Sequence, residues 1–191
     1  MDLNCNKLTT IEGKNINFRI VEENDAEFIL LLRTDSALNK NISAVENDVV
    51  KQRNWITSRK NSREWYFIIE NKVNKPVGTI RIYDLIEDSF CWGSWIILPE
   101  ERMRSSFESA ILLYEYAFFT LGFSQSHFDV RKNNKSVINF HLRMGSVIVK
   151  EDYENFHFIF KKEDYILRRK DHFAMIDKIA RRAYFKADSN S

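Results

Sequence analysis

The spacing of apolar residues changes at Pro99, and that change limits the possible folds more than any other feature of the sequence. Upstream lie three runs rich in aromatic and β-branched residues, Trp65 to Glu70, Val77 to Tyr83 and Ser89 to Leu98, with turn residues at Asn71 to Pro76 between the first two. Strands joined this closely predict an antiparallel meander. Downstream, Phe107, Ala110, Ile111, Tyr114, Ala117, Phe118 and Leu121 fall on one helical stripe that Gly122 stops. A meander feeding a long amphipathic helix must bury its apolar side against that helix, which predicts a layered α/β domain.

The flanking segments extend the pattern. Ile16 to Val21 reads as an opening strand, and Asn24 or Asp25 can cap a helix carrying Phe28, Ile29, Leu31 and Leu32. Thr34 to Ser43 reads as a polar loop and Ala44 to Ser58 as a second short helix. After the long helix come a short strand at Ser126 to Val130, a helix at Val137 to Met144 stopped by Gly145, and a late strand at Phe156 to Phe160. The expected order is β, α, α, three β, α, β, α, β, a single domain on a mixed central sheet whose N-terminal part is the meander, flanked by helices.

Composition excludes several classes. With 44% hydrophobic and 14% aromatic residues against 5 Gly and 2 Pro in 191 residues, the chain has the material for a dense core. The 29 Lys and Arg against 27 Asp and Glu leave no global field calling for nucleic acid. Cys5 and Cys91 have no metal-ligand spacing and cannot form a disulfide framework, which favours a reducing compartment. Together with an N-terminus lacking signal-peptide character and no apolar stretch of membrane-spanning length, this predicts a cytoplasmic protein. From Lys161 to Lys186, nine Lys or Arg face four Asp or Glu, and Phe173, Ile176, Ile179, Ala180, Ala183 and Tyr184 form one apolar face. Residues 165–191 are therefore expected to form a basic amphipathic helix and tail beyond a domain of residues 1–164. That helix could dock on the domain, pair in a homodimer, or meet a polyanionic surface.

Residues 95 to 145 resemble the acetyl-CoA-binding half of the GNAT acetyltransferases. The strand WIIL is followed by PEERMRSSFESAILLYEYAFFTLGF, the strand HFDV and RKNNKSVINFHLRMG. The resemblance implies that the backbone of Ile96, Ile97 and Leu98 pairs with the pantetheine arm. It also implies that the loop Arg102 to Phe107 wraps the pyrophosphate with main-chain N–H groups at a helix start, where the macrodipole favours anions. Ser105 and Phe107 stand where family members carry small residues, mostly glycine, so Phe107 and Met103 could close the site and leave a non-catalytic acyl-CoA-binding fold. Arg102 and Arg104, with Ser105 and Ser106, could instead meet phosphates directly, or the two arginines could be solvated loop charges. Asn134, Phe140 and, seven residues after Asn134, His141 match the family's Asn-to-Tyr helix, with His141 in place of the tyrosine that protonates the leaving thiolate. A histidine of ordinary pKa could serve as that acid when protonated, or be a packed ring alone.

In the N-terminal half, Arg33, Asn39, Gln52 and Trp55 beside GTIRIYD and FCWGSWI form a pattern that resembles, more loosely, members tied to bacterial surface-polysaccharide synthesis, which acetylate nucleotide-linked amino sugars. Trp92, Trp95 and Tyr83 could present flat faces to a sugar or base, while Arg33, Lys40 and Arg81 could meet a diphosphate. A peptide N-terminus is the alternative acceptor. The resemblance implies direct attack of a neutral amine on the acetyl thioester without a metal, with Asp84, Glu87 and Glu100 as candidate bases. Cys91, with no basic neighbour in sequence, reads as buried packing.

Overall fold

The computed structural model describes residues 10–40, 42–60 and 62–188, with side chains to residue 181. The strands are β1 (Thr10–Glu12), β2 (Ile16–Ile20), β3 (Trp65–Asn71), β4 (Pro76–Ile86), β5 (Ser89–Ile97), β6 (Gln125–Arg131), β7 (Val147–Glu151) and β8 (Asn155–Lys161). The α-helices are α1 (Ala26–Thr34), α2 (Val49–Arg59), α3 (Arg102–Glu115), α4 (Lys135–Met144) and α5 (Lys162–Asp188). One sheet in the order β1-β2-β3-β4-β5-β6-β8-β7 joins all the strands. Every neighbouring pair is antiparallel except β5 and β6, which run parallel. The mixed sheet and its antiparallel N-terminal meander are those expected from the sequence.

Two strands and two boundaries differ from that expectation. β1 and β7 lie at the sheet's two edges, and all five residues of β7 are exposed, so neither has the half-buried alternation that marks a strand. The start of α2 moves from Ala44 to Val49 because the Asp48 side chain accepts the Lys51 N–H at 3.0 Å, an N-cap contact. The helical stripe to Leu121 is real, but its last part, Tyr116–Thr120, is a π turn.

Alternation along β3 separates two cores. Phe67 and Ile69 face α3, α4 and α5 with Ile111, Tyr114, Ile138, Tyr165 and Ile176, while Tyr66 and Ile68 face α1 and α2 with Ala26, Ile29 and Ile56. The C-terminal helix docks on the first of these layers. Glu115 of α3 accepts from the Tyr165 hydroxyl at 2.5 Å and from Arg169 Nε at 2.7 Å, and His172 meets Phe107 edge to face. Among the described residues no helix is long and apolar enough to cross a membrane.

Candidate active site

The parallel pairing of β5 with β6 lasts for two residue pairs, Ser89 with Gln125 and Phe90 with Ser126. Beyond Phe90 and Ser126 the strands diverge, and the β6-facing edge of β5 has no ladder partner. Parallel sheets bind ligands where neighbouring strands part in this way. On its other edge β5 carries a bulge: Gly93 pairs with Arg81 and Ile96 with Thr79, so two residues of β5, Ser94 and Trp95, stand opposite one of β4, Ile80. Ser94, within the bulge, is left-handed at φ 48°, and its carbonyl accepts from Thr79 Oγ1 at 2.8 Å. Gly78 lets the two strands meet here, since a Cβ on it would lie 2.4 Å from the Ile96 carbonyl oxygen.

A groove of ≈ 1030 Å³ runs through this gap and opens on both faces of the sheet. On the face of α3 and α4 it is lined by Trp92, Trp95, Arg102, Ser106, Asn134, Phe140 and His141. The indole N–H of Trp92 donates to the Tyr114 hydroxyl at 2.9 Å, and that of Trp95 to Ser109 Oγ at 3.0 Å. Both tryptophans, expected beside the acceptor, are thereby tied to the α3 side. No side chain caps α3, which continues from a 3-10 turn at Pro99–Glu101 whose Pro99 carbonyl accepts the Arg102 N–H. Arg102 Nε donates to the Ile97 carbonyl at 3.2 Å, and Ile96 and Ile97 line the groove.

Three expected cofactor residues lie elsewhere. The Leu98 N–H is taken by the Val77 carbonyl at 2.9 Å, and Arg104 is exposed on α3 outside the groove. Ser105 is fully buried, with a hydroxyl that has no partner among the described residues. Nor does Phe107 close the site. It points away from the groove against Phe140 and His172, with ring centroids 6.4 and 5.8 Å away.

His141 sits at the floor of the gap, 3% exposed, with its centroid 4.2 Å from that of Phe128 and 5.4 Å from that of Trp92. Burial among these rings pushes its pKa down to about 3, and Nδ1 has no partner among the described residues. The ring is therefore neutral at physiological pH, which weighs against the first of the two roles read from the sequence, a protonated acid, and leaves the packed ring.

The face of α1 and α2 contributes a different set: Arg33, Lys40, Trp55, Arg81 and Tyr83. The Arg81 guanidinium lies 4.8 Å from the ring centres of both Trp55 and Tyr83 and pairs with Glu64 at 2.6 Å. Arg33 donates to the Ser43 carbonyl at 3.0 Å. Nε of each arginine is buried without a hydrogen-bond partner among the described residues. Asp84, Glu87 and Glu100 do not line the groove; among the described residues the one carboxylate there is Asp129 of β6.

Sequence reasoning overlooked Asp129 and the bulge. The isolated glycine in SFCWGSWIIL was the available signal for the bulge, because glycine inside a strand marks irregular pairing. Nothing in the sequence marks Asp129 among 27 acidic residues, since its position depends on where two strands part.

Known proteins agree with this geometry. Residues 15–147 match the family described as acetyltransferase (GNAT) domain. FdhC, described as a nucleotide-linked sugar GNAT, has a solved apo structure that is 44% identical over 85% of this chain and 96% of its own, with a TM-score of 0.77. The spermidine N-acetyltransferase of Vibrio cholerae, solved with CoA and spermine, is 15% identical over 81% and 99% of the two chains, with a TM-score of 0.72. A GNAT-family acetyltransferase of Bacillus anthracis gives 16% identity, 81% and 99% coverage, and a TM-score of 0.68. At those identities the last two share the fold alone. No curated protein matches the sequence. With a diverging β5–β6 pair, an uncapped helix beside it and a family match over most of its length, the chain belongs to the GNAT acetyltransferases.

Proposed function

We propose that this acetyltransferase moves an acetyl group from acetyl-CoA to the amine of a nucleotide-linked amino sugar. The observation that carries this reading is the pair of unpartnered guanidinium nitrogens on Arg33 and Arg81, on the groove face opposite α3. A buried charged donor without an acceptor is costly, and a diphosphate supplies the missing acceptors. Groove charge supports it: Arg33, Lys40, Arg81, Arg102 and Arg131 line the groove against one lining carboxylate among the described residues, with Arg81 also paired to Glu64 behind it, a surplus that suits a polyanion and disfavours a polyamine. Trp55 and Tyr83 offer ring faces for a base or sugar. FdhC, at 44% identity, is described as acting in that substrate class.

The α3 and α4 face suits the cofactor. The free edge of β5 at Ile96 and Ile97, Arg102 and Ser106 at the start of α3 with its positive dipole end, and Asn134 at the start of α4 would hold the pantetheine arm and the phosphates. Acetyl-CoA supplies the activated acetyl group. His141, neutral in its apolar setting, acts as a hydrogen-bond donor to the leaving sulfur rather than as a source of its proton. A thiol pKa near 8.5 makes thiolate a good leaving group without prior protonation, whereas a neutral imidazole cannot surrender its N–H to it. The gap between the strands lets the two substrates meet through the sheet, each bound on its own face.

Calorimetry with acetyl-CoA, followed by thiol-release assays with UDP- and dTDP-linked amino sugars and with spermidine, tests this reading. Micromolar cofactor binding and turnover of a nucleotide amino sugar are expected. Turnover of spermidine alone would overturn the acceptor assignment. His141→Phe should lower kcat about 10-fold or more, with partial recovery in His141→Gln, which keeps an N–H donor.

A further inference from the structure

The parting of β5 and β6 brings one acidic side chain to the place where two substrates would meet. Asp129 stands three residues beyond the last parallel pair on β6, as Gly93 does on β5, so the two are level across the gap. Its neighbours in β6, Phe128 and Val130, are buried in the core under α3 and α4, so alternation turns Asp129 to the opposite side, toward Tyr83 and Cys91. This is the side of Arg33 and Arg81. His141 lies beneath Phe128, on the other side.

We infer that Asp129 receives the acceptor's ammonium group and takes its proton, an assignment that rests on the acceptor reading above. The carboxylate is solvent-exposed at the groove wall and forms no hydrogen bond or ion pair with any described residue, which leaves it free to meet an ammonium group. The other titratable groups facing this side are Tyr83 and Asp84 on β4, Cys91 on β5, His127 and Arg131 on β6, and His157 on β8, opposite Asp129. Asp84 and Asp152 are paired with His127 and His157, respectively. Burial holds the Cys91 thiol up at about 11 and raises the Tyr83 hydroxyl, so neither is an anionic base at neutral pH.

Asp129 removes one proton from the ammonium, and the freed lone pair attacks the thioester carbonyl carbon. The C–N bond forms, the C–S bond breaks with its electron pair on sulfur, and the second proton shed by nitrogen ends on that sulfur. The products are the amide and free thiol, and Asp129 returns its proton to water. A sugar amine of pKa about 8 is mostly protonated at neutral pH, which is where such a base matters.

The test compares wild type, Asp129→Asn and Asp129→Glu, using UDP- and dTDP-linked amino sugars and measuring kcat from pH 6 to 10 and acetyl-CoA affinity by calorimetry. Asp129→Asn should lose about 100-fold or more in kcat at pH 7, recover most of it near pH 10 where the amine is already neutral, and keep acetyl-CoA affinity. Asp129→Glu should retain part of the activity. Turnover by Asp129→Asn within about threefold of wild type at pH 7 overturns the assignment, as does a loss that stays constant with pH. If wild type turns over no nucleotide amino sugar, the acceptor reading fails. The same comparison with glucosamine at high concentration then decides Asp129 separately, because its role concerns the amine alone. An enzyme inert toward every one of these amines overturns both.

Discussion

The two faces of the sheet at the β5–β6 gap are built on opposite principles. Toward α3, aromatic rings fill the space and the groove tryptophans both place their N–H groups: Trp92 on Tyr114, Trp95 on Ser109. Phe90 alone meets Tyr114, Phe118 and Phe123 at centroid distances of 6.3, 5.8 and 5.2 Å. Toward α1 and α2, charged side chains hold donors in reserve, with Arg33 Nε and Arg81 Nε buried and unanswered. The first face is packed mainly with rings and leaves only neutral groups such as Ser105 and His141 unanswered, whereas the second leaves charged donors unanswered, the costlier kind, as the proposed acceptor site would require.

Cutting into the packed face should produce the largest effect. Phe90→Ala removes a fully buried ring and should cost about 3–5 kcal/mol by denaturant unfolding, lowering activity only through loss of folded protein. If Phe90→Ala changed KM while leaving stability intact, the division between the faces would fail. On the other face, Arg33→Met should raise KM for a nucleotide amino sugar about 10- to 100-fold while Tm stays level or rises, because an unpaired buried donor is replaced by an apolar chain of similar length. A fall in Tm of more than about 3 °C would show that Arg33 is structural.

His141 tests the boundary between the faces through pH. Its folded pKa of about 3 lies below the unfolded value near 6.5, so the unfolded chain binds the extra proton and stability falls as pH drops through that window. Each pH unit there should cost up to about 1.4 kcal/mol, and His141→Phe should flatten the slope measured by urea unfolding between pH 6 and 4. His172, also lowered by burial, adds a slope of the same sign that the variant leaves in place. The smallest effect is expected at α3: Arg102→Ala should weaken acetyl-CoA binding several-fold at low salt and less at high salt, as a partly solvated charge does.

Much of the fold could be read from spacing because spacing records burial. The meander, the α3 stripe and α4 each present one apolar side to a core, and periodicity finds such sides. β7 escapes because all five of its residues are exposed at an edge, and β1 because three residues carry no period. The site was legible where it follows the chain, as from Asn134 to His141, and illegible where it depends on pairing. The choice among Asp84, Glu87, Glu100 and Asp129 turns on which strands part and after which residue. The side taken by Trp92 and Trp95 turns on a bulge and two hydrogen bonds. The neutral state of His141 arises from rings contributed by β5, β6 and β8, none of them near it in sequence.

Two ladder pairs are a narrow seam for a sheet of this width. Mechanically the molecule resembles a book, with β1 to β5 as one cover, β6 to β8 as the other, and α3 laid along the spine. Bending at such a spine would break few ladder hydrogen bonds, so what holds the covers together there is the packing of Trp92 against Phe128 and His141. In hydrogen exchange the amides of Ser89, Phe90, Gln125 and Ser126 should then report breathing of the whole groove, while the interiors of the two covers stay protected.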